Sequence, residues 1–251
     1  MLFTDFGSAD IYVGQVKSVL HRLSPQATVI DLAHDLSPYN VRAAAHLLDA
    51  LKDSFPEGSV FLCVVDPGVG TDRGTVVLEA DHRWYVGPDN GLLSVVAARA
   101  AEARLSSILW RPTEISNSFH GRDLFAPVAA RIAADGLPPG HLRPLSALVE
   151  SFGAEDLAEI IYIDHYGNAC TGIRGAHAPP DGVLRVGEER VYGARVFADV
   201  PLGTPLWHVN SHGLVEIAAN RGSAAQVLGL RVGDRVRPET NWGRAVSSPA
   251  K

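Results

Sequence analysis

The spacing of apolar positions changes character along the chain. Leu2–Thr4 is a short β-like run, and Val13, Val16, Val19, Leu20 and Leu23 then recur at helical spacing, which predicts a helix over Val13–Leu23. ATVIDLA (27–33) predicts a strand, Val41–Ser54 a helix, and the wholly apolar VFLCVV (60–65) a buried strand. Helices are also predicted over Leu92–Ala103, after the turn GPDNG, and over Leu124–Ala134, where Gly136 suits the residue just beyond a helix end. Strands alternating with helices predict an α/β N-terminal domain with a largely parallel sheet.

After Glu159 the period shortens. EIIYIDHYG, GVLRVG, ERVYGARVFADV, PLWHVNS, GLVEIAAN and DRVRP are short β-like runs separated by Gly, Pro, Asn and Asp. They predict a smaller β-rich domain. Between the two regions, GLPPGHLRPLSAL (136–148) has the composition of a linker. The predicted organisation is an α/β domain over residues 1–140, a linker over 141–157 and a β-rich domain over 158–251.

Composition narrows the function classes. The formal net charge is −6 and no Lys/Arg run offsets it, so a nucleic-acid partner is not expected and a small molecule is. No stretch approaches the roughly 18 apolar residues of a membrane helix. The opening MLFTDFG lacks a basic n-region and an apolar h-region, and a cytoplasmic protein is expected. Cys63 and Cys170 lie far apart in strand-like runs, which predicts buried free thiols.

Three clusters could carry chemistry. VFLCVVDPGVGTDRG places Asp66 at the end of a buried strand, then a glycine-rich loop, then Arg73. The spacing is not a dinucleotide fingerprint, because TVVLEADHRWYVG continues as β-like alternation around a D-H turn and no helix opens. LFTDFGSAD sets Asp5, Gly7 and Asp10 between a strand and a helix, where an acidic residue can accept hydrogen bonds from ribose hydroxyls and Ser8 or Asp10 can cap the helix. SFHGRDLFAP (118–127) puts His120 just before a helix expected to start at Asp123, as its N-cap. The positive end of a helix dipole disfavours imidazolium there, leaving a neutral ring. No H-E-x-x-H or Cys/His spacing is present, so a metal site is not expected.

Together these segments resemble the SAM hydroxide adenosyltransferases (SAM hydrolases), relatives of the SAM-dependent fluorinase and chlorinase. TDFGSADIYVGQVKSVL, DLAHDLSPYNV, FPEGSVFLCVVDPGVGTDR, YVGPDNGLL, SFHGRDLFAPVAA, DHYGNACTG and NSHGLVEIAANRGSAA carry the resemblance, in order, over nearly the whole chain. It implies a barrel-like C-terminal domain and a homotrimer with sites between subunits. It implies hydrolysis of S-adenosyl-L-methionine (SAM) to adenosine and methionine without an added cofactor. The residues matching the family's catalytic set are Asp66, Arg73 and His120. Because the halogenating branch replaces the first and third, water is the expected nucleophile.

The resemblance further assigns Asp5 to the ribose and Tyr39 to packing on the nucleoside. Tyr166 and Asn168 go to the adenosine side, Asn220 to adenine, and Asp10 and Ser211 to the methionine moiety. The chain departs from the fluorinase at His212, where that enzyme has arginine, and at Tyr12, where it has a small polar residue. An arginine-paired carboxylate is a weak base. The expected division of labour therefore has Asp66 orient the water, Arg73 stabilise developing hydroxide and neutral His120 accept the proton. A SAM-dependent halide adenosyltransferase and a non-catalytic SAM or adenosine sensor are the alternatives.

Overall fold

The structure, a computed structural model, describes residues 1–134, 136–179 and 182–239. The chain divides into two compact units, Met1–Ala154 and Glu155–Lys251. The first contains β1 (Leu2–Thr4), β2 (Asp31–Ala33), β3 (Val60–Val64), β4 (Thr75–Ala80), β5 (Arg83–Pro88), β6 (Ala103–Ile108) and β7 (Leu142–Leu145). They form one sheet in the order β2-β1-β3-β5-β4-β6-β7.

Strands β2, β1, β3 and β5 pair in parallel, whereas β4, β6 and β7 join antiparallel. The sheet is therefore mixed, not largely parallel as expected. The cause is local. Ala80 pairs with Arg83 across Asp81 and His82, which have φ of 45° and 61°. Two successive left-handed residues make a two-residue hairpin turn, and a hairpin can only be antiparallel.

The helices of this unit are α1 (Ile11–Leu23), α2 (Val41–Leu51), α3 (Ser94–Arg99) and α4 (Ala126–Ala134). The Asp10 carboxylate accepts the Ile11 N–H and caps α1, which buries Val13, Val16 and Leu20. Val16 and Leu20 share a core with Leu62 and Val64 of β3 and with Val128 and Ala129 of α4. At about 1.5–3 kcal/mol for each fully buried large aliphatic side chain, this cluster fixes α1 and α4 on the sheet. Helix α3 is shorter than the predicted Leu92–Ala103, because Ala100 turns extended and Ala103 already pairs with Ala80 in β6. Gly136 closes α4 as expected, with φ of 82° and its N–H donated to Arg131 O.

The segment 141–157, read as a linker, contains β7, whose Leu142 pairs with Ile108. Its Pro/Gly-rich approach misled, because an edge strand tolerates proline where an interior strand does not.

The second unit is β-rich. β8 (Leu157–Ile163), β9 (Ala169–Arg174), β12 (Pro205–Val209) and β13 (Leu214–Ala219) form one antiparallel sheet. β10 (Val183–Val186), β11 (Glu189–Tyr192) and β14 (Val236–Glu239) form another. Isolated bridges join the edges of the two sheets, Glu159–Arg235 where β8 meets the approach to β14 and Gly193–Trp207 where the end of β11 meets β12. A short helix α5 (Ala224–Leu228) is capped by Ser223 and ended by left-handed Gly229. Residues 240–251 of the predicted domain lie outside the described residues.

Cys63 and Cys170 are buried and free, as expected. Burial pushes the Cys170 thiol up to about 12. Among the described residues, no helix is long and apolar enough to cross a membrane.

Candidate functional site

Strands β1, β2 and β3 run parallel, so the loops that follow them emerge at one edge of the sheet. The β1 loop carries Asp5, the β2 loop Tyr39 and the β3 loop Asp66. Together with His120 they line a cleft of about 590 Å³. This is where open α/β sheets place ligands. Phe6, Tyr12 and Phe119 give the cleft an aromatic wall, with neighbouring ring centroids 5.3–6.0 Å apart.

Asp66, Arg73 and His120 form one connected group. Arg73 Nε donates to both carboxylate oxygens of Asp66, at 2.8 and 3.0 Å, and Nη2 adds a third bond to Oδ2. Nη2 also meets His120 Nδ1 at 3.0 Å, Nη1 donates to Gly74 O at 3.3 Å, and the guanidinium lies 5.2 Å from the Phe125 ring centroid. The Arg73 and Asp66 side chains are 9 % and 4 % exposed. Asp66 and His120 face the cleft, but Arg73 is not among its lining residues and stands behind them.

The chemistry of this contact sets the histidine tautomer. A guanidinium only donates, so Nδ1 of His120 accepts and the neutral ring carries its proton on Nε2. Burial holds the His120 pKa below its ordinary value, and the neighbouring Arg73 charge acts in the same direction. Neutral imidazole was expected from the helix dipole. The causes here are desolvation and the arginine.

The local backbone also differs from expectation. Asp123 is not an N-cap. Residues Gly121–Phe125 form a π-helical turn that runs into α4, and His120 occupies the capping position in a helical conformation. Asp123 accepts instead from the Ser116 N–H and from Arg122, whose bonds hold its carboxyl below the usual range. Arg122 in turn reaches Gln15 on α1 and packs on Phe119. A Cβ on Gly121 would meet Phe6 Cζ at 2.8 Å, so this turn can approach the β1 loop only as glycine. The extra residue of a π turn re-aims the backbone at the helix entrance, where π turns often accompany function.

Asp5 accepts from the Tyr39 N–H at 3.3 Å. Burial raises its pKa, opposed by that hydrogen bond and reinforced by the negative charge of Asp66. Tyr39 itself has φ of 65° and is strongly exposed, a conformation that costs a bulky side chain energy and therefore needs support.

The remaining expected residues are not in this cleft. Asp10 caps α1 through Oδ1. Tyr166 and Asn168 line a separate cleft of the second unit with Asp164, Phe197 and Arg221, about 600 Å³ in volume. Asp164 organises it, accepting from the Tyr166 and Asn168 N–H groups and from Asn168 Nδ2. Asn220 donates to Val200 O at 2.7 Å, and Ser211 is exposed in the β12–β13 loop. Sequence reading missed Phe6, Gln15, Ser116 and Phe119 as lining residues. The aromatic pair flanking His120 and the cleft was visible, but nothing in its spacing separates a cleft wall from a core. Among the described residues, no group of three or more His, Cys, Asp or Glu side chains could hold a metal ion.

Comparison with known proteins gives the chain's family. Residues 1–142 match the SAM hydroxide adenosyltransferase N-terminal domain, and residues 158–237 match the C-terminal domain of the same family. The chain is 43% identical to a Thermus thermophilus protein named (R)-S-adenosyl-L-methionine hydrolase, over 93% of this chain and 96% of that one. It is 27% identical to a fluorinase from Actinopolyspora mzabensis, over 93% and 94% of the two chains. The crystal structure of an uncharacterized conserved protein from Thermotoga maritima superposes with a TM-score of 0.84 at 36% identity, covering 94% of this chain and 98% of that one. With both halves of the chain matched in order, and the acid, arginine and histidine joined at one cleft, this protein belongs to the SAM hydroxide adenosyltransferase family.

Proposed function

We propose that this protein hydrolyses SAM to adenosine and L-methionine, with Asp66 and His120 holding the attacking water. One observation carries the reading: a single buried arginine fixes a carboxylate and a neutral imidazole side by side at the cleft wall. Water attacks ribose C5′ as the C5′–sulfur bond breaks, and the sulfonium leaves as the neutral thioether of methionine. The new C5′ oxygen still carries both water protons, and one must be removed to leave the adenosine hydroxyl. No acid is needed for the leaving group.

The tautomer supports a division of labour different from the expected one. Because Nδ1 already accepts from Arg73, His120 offers Nε2–H as a donor to the water oxygen and has no lone pair free for a proton. Asp66 retains lone pairs beyond those bonded to Arg73 and takes the proton. A weak base suffices, because the water proton becomes strongly acidic as the carbon–oxygen bond forms. Arg73, behind both, holds their geometry rather than touching hydroxide.

Asp5 binds the ribose hydroxyls and Tyr39 packs on the nucleoside. Tyr166, Asn168 and Asn220 serve the adenosine side, while Asp10 and Ser211 serve the methionine end. No cofactor is required. The active form is a homotrimer in the cytoplasm, and mass photometry of the purified protein reads the oligomer directly. Incubation with SAM followed by chromatography tests the activity. Equimolar adenosine and methionine are expected. A chloride-dependent 5′-chloro-5′-deoxyadenosine product would make the protein a halogenase, and binding without turnover would make it a sensor.

A further inference from the structure

A second hydrogen-bonded chain lies behind Asp5. Thr4, at the end of β1 and 1 % exposed, places its hydroxyl 2.7 Å from His34 Nδ1. His34, 6 % exposed, places Nε2 3.0 Å from Asp31 Oδ1, and Asp31 Oδ2 accepts from Lys17 at 2.5 Å. In the neutral ring, Nε2–H is donated to the Asp31 carboxylate and Nδ1 receives the Thr4 hydroxyl proton. The Thr4 oxygen then accepts the Phe6 N–H at 3.4 Å. The chain runs from the buried Thr4 and His34 out to the exposed Asp31 and Lys17, and each hydrogen bond in it has a direction.

The same loop is gripped from the backbone. Gly7 donates its N–H to His34 O at 2.7 Å, and Ser8 N–H meets Asp35 Oδ1 at 2.8 Å. Residues 4–8 are thus held on both sides of Asp5 by the segment that follows β2. The Asp5 carboxylate is met by backbone N–H groups, those of Tyr39 and of Asp5 itself, so its placement follows the backbone that carries it.

We propose that Thr4, His34 and Asp31 are positioning residues that set the Asp5 carboxylate at the cleft wall, so that adenosine binding is sensitive to a hydroxyl that never touches the ligand. The proposal rests on Asp5 contacting the nucleoside, and goes beyond that reading by naming what holds it. A purely structural network at this place would change stability without changing affinity. A positioning network changes affinity through Asp5 and nothing else.

Thr4→Val keeps the shape and removes only the hydroxyl; Thr4→Ser restores it. Adenosine affinity of the full chain is measured by calorimetry, alongside SAM turnover and thermal unfolding. Thr4→Val is expected to weaken adenosine about tenfold, Thr4→Ser to lie within twofold of wild type, and Asp5→Asn to weaken adenosine by more. In the Asp5→Asn background, Thr4→Val should have no further effect, which is the signature of one residue acting through another. His34→Gln, which preserves a donor toward Asp31, supplies a second route if Thr4→Val does not fold. It should weaken adenosine less than His34→Leu.

Unchanged adenosine affinity in folded Thr4→Val, or full additivity with Asp5→Asn, overturns the proposal. Equal losses in His34→Gln and His34→Leu would do the same. Absence of SAM turnover in the wild type, with these adenosine effects intact, would remove the hydrolase reading and leave the positioning network standing.

Discussion

Replacing Arg73 by lysine isolates geometry from charge. Arg73 makes three contacts to Asp66, one to His120 Nδ1 and one to Gly74 O, and stacks over Phe125. A lysine ammonium keeps the positive charge but is a point donor on a flexible stem, so it can satisfy Asp66 while releasing His120. The substitution gives up about two charge-assisted bonds, each contributing roughly 1.5–3 kcal/mol to order in a covered site. The pair is nearly buried, so solvent screening takes little from that figure.

A loss of about 3–6 kcal/mol in positioning corresponds to a turnover decrease of roughly two to four orders of magnitude. Arg73 does not line the cleft, so KM for SAM should change by less than about threefold. Chromatographic rates of adenosine release over a range of SAM concentrations separate the two constants. Turnover within threefold of wild type, or a loss confined to KM, would refute the assignment of Arg73 as the support of Asp66 and His120.

Three further outcomes are expected. His120 should titrate below its ordinary 6.5, as followed by NMR of the ring. Its proton binds less readily in the folded than in the unfolded state, so stability rises with pH between the two pKa values and is lost as pH falls through the folded one. Turnover should fall as pH drops through the folded-state pKa, because imidazolium cannot accept from Arg73; a flat profile through that pKa would contradict the tautomer. Gly121→Ala forces its Cβ to within 2.8 Å of Phe6 Cζ and should cost about 1–3 kcal/mol in denaturant unfolding, with an unchanged midpoint counting against the close approach. Tyr85 is buried, its hydroxyl has no hydrogen-bond partner among the described residues, and burial pushes its pKa up. Tyr85→Phe should therefore be neutral or stabilising by up to about 1 kcal/mol, and a destabilisation beyond that would reveal a missed partner.

The chain's own pattern was enough to locate α1, α2, β1 and β3, because helical spacing and a run of buried apolar residues are local signals. The antiparallel hairpin was half legible, since the D-H turn was visible while its effect on sheet direction was not drawn from it. Strand β6 and the edge strand β7 escaped, because short, half-exposed strands have no strong period and take their identity from a neighbour's hydrogen bonds.

The same division holds at the site. Asp5, Asp66, Arg73 and His120 could be singled out one by one, as ionisable residues beside glycine turns at element ends. That Arg73 stands behind Asp66 and His120, and so chooses the histidine tautomer, is a relation among residues 47 and 7 positions apart. Likewise Thr4 and His34 are separated by 30 positions and meet only because β1 and β2 lie side by side in parallel. Sequence determines which donors and acceptors exist and how each local segment bends. Only the tertiary structure decides which donor faces which acceptor, because directional contacts between distant segments depend on sheet order and register rather than on any local propensity.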